Sequence, residues 1–203
     1  AIAPLLFITT AAKPLRSLAE VVAYAKANPG RLDFASSGGG AALNLMMALF
    51  ADRTGITYTH IPFKGTSEIQ TAIIRGDVQI TLLSAVSSLP LVNSGKAHAV
   101  LMPADHRSPL LPDVPTPTEL GLKPFAVDTI LAVWAPKGTP HDVIVTLNAA
   151  TRAVAADPGY IASVRDKAGV PPVTLTVEQT RELFLRRASE LEEAIRIAKY
   201  KLE

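Results

Sequence analysis

Cysteine is absent from all 203 residues. Thiol nucleophiles, disulfides and thiolate metal sites are thereby excluded. Aromatic residues are scarce: six phenylalanines, four tyrosines and one tryptophan, with no basic run among them. Stacking on single-stranded bases therefore has no platform. An excess of one charge is lacking too, because 20 basic and 18 acidic side chains leave a formal net charge of +2. That is too small and too evenly spread for a nucleic-acid surface. No stretch reaches the roughly 18 uninterrupted apolar residues of a membrane span. The four histidines, His60, His98, His106 and His141, show no metal-binding spacing, so no metal and no cofactor is expected.

What is present is 48% hydrophobic and 19% charged, the composition of a folded chain with a substantial core. The opening stretch, AIAPLLFITT (Ala1 to Thr10), is apolar, short and without a basic leader. It reads as a buried strand rather than a signal peptide. A chain that opens inside a buried strand is expected to lack a preceding portion.

Helix signals follow. Ser17 and Glu20 form a capping box ahead of Leu18, Val21, Val22 and Ala25, and Asn28-Pro29-Gly30 ends that helix. Short apolar strands are expected at Leu32 to Ser36, Tyr58 to Ile61, Val78 to Leu82 and Ala97 to Met102, alternating with helices. This alternation predicts a mainly parallel sheet covered by helices. Pro103 to Pro117 carries five prolines and reads as an extended, semi-rigid connection. Val127 to Trp134 is expected as a strand. Helices are then expected over His141 to Ala155, Asp157 to Ala168 and from Thr176 toward Tyr200, the last with Gln179 completing a second capping box.

The strongest chemical signal is Phe34-Ala35-Ser36-Ser37-Gly38-Gly39-Gly40-Ala41-Ala42, a strand entering a glycine loop and then a helix. Glycines let several backbone N–H groups face one acceptor, and the helix start adds about half a positive charge. An anion such as phosphate or carboxylate suits such a place. Ser36 and Ser37 add neutral donors. The lysine and hydroxyl of a P-loop are missing, and G-x-G-x-x-G does not fit. The alternative is a turn that binds nothing. Two more strand-loop-helix junctions offer Lys64 with Thr66, and Leu83 with Ser84; in parallel sheets such loops lie on the ligand-binding edge. Catalysis has little support: G-x-S-x-G is absent, and nothing in the sequence aims a histidine at Ser36 or Ser37. No catalytic residue is assigned. A small serine hydrolase using either serine is the weakest alternative.

In order along the chain, SLAEVVAYAKANPGRLDFASSGGG (Ser17 to Gly40), HIPFKG (His60 to Gly65), GDVQITLL (Gly76 to Leu83), SLPLVNSGKAHAV (Ser88 to Val100), RSPLLPDVPTPTELGL (Arg107 to Leu122) and WAPKGTP (Trp134 to Pro140) resemble the tripartite tricarboxylate transporter receptors. These are also called the Bug family of periplasmic solute-binding proteins. The likeness covers essentially the whole chain, and the 107–122 stretch is its most specific piece.

The resemblance implies an α/β fold of the type II periplasmic-binding-protein kind. It has two lobes with mainly parallel sheets flanked by helices, and the ligand lies between them. On that pattern residues 9–126 form one complete lobe, and residues 1–8 with 127–203 belong to the other, which is incomplete. It further implies a periplasmic location, a small organic acid as ligand and membrane transporter subunits as partners, without enzymatic turnover. The ligand contacts would come from Ser36, Ser37, Gly38, Gly39, Gly40, Ala41, Ala42 and Asn44, then Lys64, Thr66, Leu83, Ser84 and Thr129. The family's N-terminal stretch and its glycine-rich loop are not in this chain. An incomplete lobe exposes strand edges, which invites pairing as a homodimer, so a dimeric interaction module without ligand is the second alternative. Asn44 stands where the family often has histidine, and Ala41 and Ala42 where it often has serine or threonine. Leu83 replaces a common aspartate and Phe63 a common tyrosine. Leucine cannot pair with a ligand amine, which favours an apolar or aromatic acid.

Overall fold

The computed structural model describes residues 2–37, 41–108, 111–125, 128–130, 132–168 and 172–198. Strand β1 (Ile2–Thr10) is followed by α1 (Leu18–Ala27), β2 (Asp33–Ser37), α2 (Ala41–Thr54), β3 (Thr59–Phe63), α3 (Thr66–Arg75), β4 (Ile80–Ser84), α4 (Ala85–Asn93) and β5 (Ala97–Leu101). Then come β6 (Asp128–Ile130), α5 (His141–Ala156), α6 (Pro158–Ala168) and α7 (Val177–Ala198). None of the described helices is long and apolar enough to cross a membrane.

Both capping boxes read from the sequence form. Ser17 N–H donates to Glu20 Oε2 at 3.0 Å and Glu20 N–H to Ser17 Oγ at 3.3 Å. Thr176 N–H and Gln179 Oε1 lie 2.9 Å apart, with the return bond from Gln179 N–H to Thr176 Oγ1 at 3.2 Å. Each box satisfies two helix-end donors that would otherwise lack partners. Gly76 ends α3 with φ of 79°, and a Cβ there would meet Ala12 Cβ at 2.8 Å. Both the left-handed backbone and this close approach call for glycine.

The sheet runs in the order β3-β2-β4-β1-β5, and β6 pairs with the first residues of β1. Strand β2 is parallel to β3 and β4, whereas β1 is antiparallel to both β4 and β5. Thus β3, β2, β4 and β5 share one direction, and β1 alone opposes them. The sheet is mixed, with its reversed strand near the centre.

Successive residues of β1 serve opposite faces. Leu5 and Phe7 join one buried cluster with Val21 of α1 and Met47 and Phe50 of α2, and Phe7 stacks on Phe50 at 4.6 Å. Leu6 and Ile8 join the other with Ile69 and Ile73 of α3 and Leu91 of α4. Burying each large apolar side chain contributes about 1.5–3 kcal/mol.

Two segments depart from expectation. Within 127–134 only Asp128–Ile130 is a described strand. Val133 and Trp134 are 74% and 68% exposed, and Trp134 meets Phe184 of α7 edge-on at 4.5 Å. Ring packing, rather than a strand ladder, holds that tryptophan. The proline-rich segment after β5 folds back instead of extending. Met102 N–H donates to the Pro115 carbonyl at 2.9 Å, and Leu111 and Val114 are buried. Arg107 closes it by reaching both the Glu119 carboxylate, at 2.9 Å, and the Pro112 carbonyl, at 2.6 Å.

Helix α7 is fastened to the sheet-bearing body. Ala194 is buried in the same cluster as α2. Glu193 meets Lys123 Nζ at 2.7 Å and Arg53 Nη2 at 3.0 Å. Hydrogen bonds from Lys123 and Arg53 hold the Glu193 carboxyl below its usual range. The Thr116 N–H and the Arg107 guanidinium do the same for Glu119. Glu190 runs the other way, because burial outweighs the attraction of Arg187 and raises it. A depressed carboxyl stabilises the fold above its unfolded value near 4.5, and that contribution is lost as pH falls through the lower folded value. Replacing Glu193 by glutamine is therefore expected to flatten the acid limb of the melting-temperature profile below about pH 4.5. Thermal denaturation across pH 2 to 7 checks this, with identical limbs in wild type and variant as the contrary result.

Candidate functional site

Because β3, β2 and β4 are parallel neighbours, their carboxyl ends lie on one edge. Ser37, Phe63 and Ser84 are their last residues. From that edge depart α2 at Ala41, α3 at Thr66 and α4 at Ala85. Three helix starts, each carrying partial positive charge, thus face the same side of the sheet. Ser37, Lys64, Thr66 and Ser84, of the residues expected at the site, thus lie along one edge, although they derive from segments up to 47 residues apart (Ser37 to Ser84). The arrangement suits a small anion.

The residues play different parts. Ser36 is 1% exposed, and its Oγ lies 2.7 Å from His60 Nε2. Its hydroxyl is committed to that partner and does not stand open on the edge as a free donor. Ser37 ends β2 half-buried, opposite Phe63. Gly38, Gly39 and Gly40 lie outside the described residues. Ala41 and Ala42 open α2, and their side chains are likewise outside the description. Asn44, in the first turn of α2, accepts at Oδ1 from the Tyr58 hydroxyl at 3.0 Å.

At the second junction Lys64 is exposed, and its backbone N–H donates to Glu68 Oε2 at 3.1 Å. Thr66 is exposed at the start of α3, where the N-cap is Gly65, with no side-chain cap. That end keeps its backbone donors available. At the third, Ser84 caps α4, accepting from Ser87 N–H at 3.3 Å and donating to Ser87 Oγ at 2.9 Å. Leu83 is 5% exposed and packs among Leu6, Ile69 and Met102. It forms part of the core beneath the edge, because the preceding position on a strand faces away from Ser84. Thr129 sits on β6 opposite Ala3 of β1, and its side chain is outside the description.

Sequence reasoning missed His60 and Tyr58. His60 reads as a structural strand histidine, and the register that places it against Phe34 and within reach of Ser36 is invisible locally. The signal available was the alternation of Phe34 with Ser36 on β2 and of Tyr58 with His60 at β3. Ser36 and His60 also raise the question of nucleophilic catalysis. Among the described residues no carboxylate bonds the other ring nitrogen of His60, the contact that would orient the base of a triad. A separate open surface depression lies at the far end of α2, lined by Asp52, Gly55, Thr57 and Ile197. A carboxylate wall and a helix C-terminus both disfavour an anion there.

Helix starts gathered on the carboxyl edge are common to parallel α/β sheets; similarity to solved structures narrows the fold to that of the periplasmic binding proteins. "R. palustris Rpa4515 with adipate" superposes with a TM-score of 0.83 at 25% identity, covering 98% of this chain and 66% of that one. MatC of Rhodopseudomonas palustris, with bound malate, gives 0.78 at 26%, covering 96% and 67%. The periplasmic binding protein BugD gives 0.75 at 27%, covering 98% and 66%. The chain belongs to the tripartite tricarboxylate transporter receptor family, which it matches over residues 1–199. BugT of Bordetella pertussis is 33% identical over 178 residues, 88% of this chain and 54% of BugT. The UPF0065 protein of the tcbD-tcbE intergenic region in Pseudomonas sp. strain P51 is 32% identical, covering 80% and 48%. The chain spans about half the length of these curated relatives. Family and fold are those of solute-binding receptors, not enzymes.

Accordingly, a serine-directed fluorophosphonate is expected to leave the chain unlabelled under conditions that label a serine hydrolase. Intact-mass measurement reads this directly, and an adduct mapped to Ser36 would overturn the assignment.

Proposed function

We propose that this chain supplies the carboxylate-binding lobe of a periplasmic receptor that captures a small organic acid for a tripartite tricarboxylate-type membrane transporter. The observation that carries the reading is the convergence of the β2, β3 and β4 carboxyl ends with the starts of α2, α3 and α4 on one edge. The ligand carboxylate docks on Ser37 to Ala42, held by backbone N–H groups and bridging waters, with Lys64, Thr66 and Ser84 around it. The adipate and malate named with two structural neighbours belong to the same chemical class.

In this reading residues 9–126 form the binding lobe, and residues 1–8 and 127–203 the other, joined through β1 and the chain around 126–127. Closure of the lobes buries the ligand, and the transporter reads the closed state; a ligand shifts that equilibrium only by its differential affinity. The exposed apolar side chains of the second part, Val133, Trp134, Val145 and Val154, favour one other reading, a dimeric interaction module that binds no ligand.

A thermal-shift screen against mono-, di- and tricarboxylates, aromatic acids and amino acids separates the two. An acid present at a hundred times its dissociation constant stabilises the fold by about 2.7 kcal/mol. Stabilisation by a carboxylate, abolished in Gly39→Val with the fold retained, is the expected result. A flat screen of a well-folded, dimeric sample overturns the receptor reading. Wild-type affinity in Gly39→Val overturns the loop assignment alone.

A further inference from the structure

Helix α7 contains neither glycine nor proline over its 22 residues, so nothing in its sequence marks a kink. At 1.5 Å per residue it reaches about 33 Å. Leu183, Arg187, Glu190, Ala194 and Ile197, all buried or half-buried, are spaced four and three residues apart, which places them on one face. The two ends of the helix meet different neighbours. Near its start, Phe184 takes the Trp134 ring edge-on at 4.5 Å. Just ahead of it, Asn148 Nδ2 of α5 donates to the Leu175 carbonyl at 3.1 Å. Trp134 and α5 both follow β6 in the chain. Farther along, Arg186 and Arg187 come within 3.8 and 3.9 Å of Asp105, in the connection after β5. The last turns lie on the sheet-bearing body. Ala194 is fully buried in the cluster of Phe7, Met47 and Phe50, and Ile195 and Ile197 pack against it.

Charge fixes that second end. The Arg53 side chain, at the end of α2, is only 8% exposed, and its Nε has no hydrogen-bond partner among the described residues. Glu193 Oε2 stands 3.0 Å from Arg53 Nη2, whereas Asp52, half in solvent, approaches Nη1 only to 3.4 Å. Glu193 Oε1 meanwhile holds Lys123 Nζ at 2.7 Å, a few residues before β6. A cation so covered cannot turn to water without unpacking, so withdrawing Glu193 would leave it poorly compensated. The contact at the other end is looser, since Trp134 is 68% exposed.

We infer that α7 is a strap: an unbroken helix seated on α2 through Glu193 and Arg53, whose first turns restrain the residues after β6 and limit their movement relative to the β1–β5 sheet. A helix without a kink carries displacement along its length, so loosening the Glu193 end also frees the Trp134 end. The strap stands whether or not the chain is a receptor. Under the receptor reading it limits how far the lobes open, and it places the last turns of α7 with the binding lobe rather than with the residues that precede them.

Because the chain has no cysteine, two spin labels can be attached without removing a native thiol. Lys26→Cys on α1 and Arg152→Cys on α5, both exposed, report the separation of the two parts by pulsed electron double resonance. Amide hydrogen exchange over residues 190–198 reports the seat on α2. Glu193→Ala strands the Arg53 charge. Combining Arg53→Met with Glu193→Leu removes both charges and leaves apolar side chains, a replacement that often keeps or improves packing. Glu193→Ala is expected to raise exchange over residues 190–198 by about ten- to a hundredfold, between the effects of exposed and buried ion pairs. It is also expected to broaden the distribution of label separations. The apolar pair is expected to return both toward the wild type. Glu193→Gln, of the same size as the native residue, carries the same test at smaller amplitude should the alanine variant not fold. Exchange in α1 and β4 stays unchanged, which a general loss of stability would not allow. A wild-type distribution of separations despite raised exchange overturns the strap. Unchanged exchange over residues 190–198 overturns the seat, and the strap with it.

Discussion

Strand β1 is buried on both faces over Leu5, Leu6, Phe7 and Ile8, with 7% exposure at Leu5 and none at the other three. It lies between β4 and β5, antiparallel to each, so two hydrophobic clusters on opposite sides of the sheet are joined through one strand. Removing it would separate β5 from β4 and open both clusters at once. Its first residues pair with β6, so the same strand also connects the five-stranded sheet to the later part of the chain. Few segments can serve both ends, which is why a continuous apolar run, unusual in an antiparallel strand, is required here.

With β1 filling the gap, β2, β3 and β4 remain parallel neighbours, and the geometry of the edge follows. Parallel strands return through helices, so their carboxyl ends and the next helix starts lie together. The chemistry of the edge is therefore supplied mainly by backbone, with serine, threonine and one lysine around it. On the proposed reading, such an edge holds a small anion without a buried fixed charge, whose desolvation would be costly.

Residues 107–122, the proline-rich stretch read from the sequence as an extended connection, owe their course to side-chain bonds. Arg107 ties the Glu119 carboxylate to the Pro112 carbonyl, and Glu119 in turn accepts from the Thr116 N–H at 2.9 Å. These bonds fold a proline-rich stretch back so that Leu111 and Val114 cover the sheet. The segment serves as a folded connection. The ion pairs of α7 with Arg53 and Lys123 similarly serve packing, fastening a helix from the end of the chain to α2.

Much of the local structure was legible in the residues. Capping boxes at Ser17 and Thr176, the stop at Gly76 and the apolar strands are dictated by neighbours within a few positions, where propensity and hydrogen-bond capacity act directly. The glycine run after Phe34 to Ser37 marked the candidate site for the same reason. The antiparallel course of β1, the loss of strand character at Val133 and Trp134, and the back-folded proline segment were not legible. Nor were the bonds from His60 to Ser36 and from Tyr58 to Asn44. Each of these depends on which strands become neighbours and in what register. A shift of one residue would turn every side chain of a strand to the other face, so it is the packed sheet, and no local preference, that decides which distant groups meet.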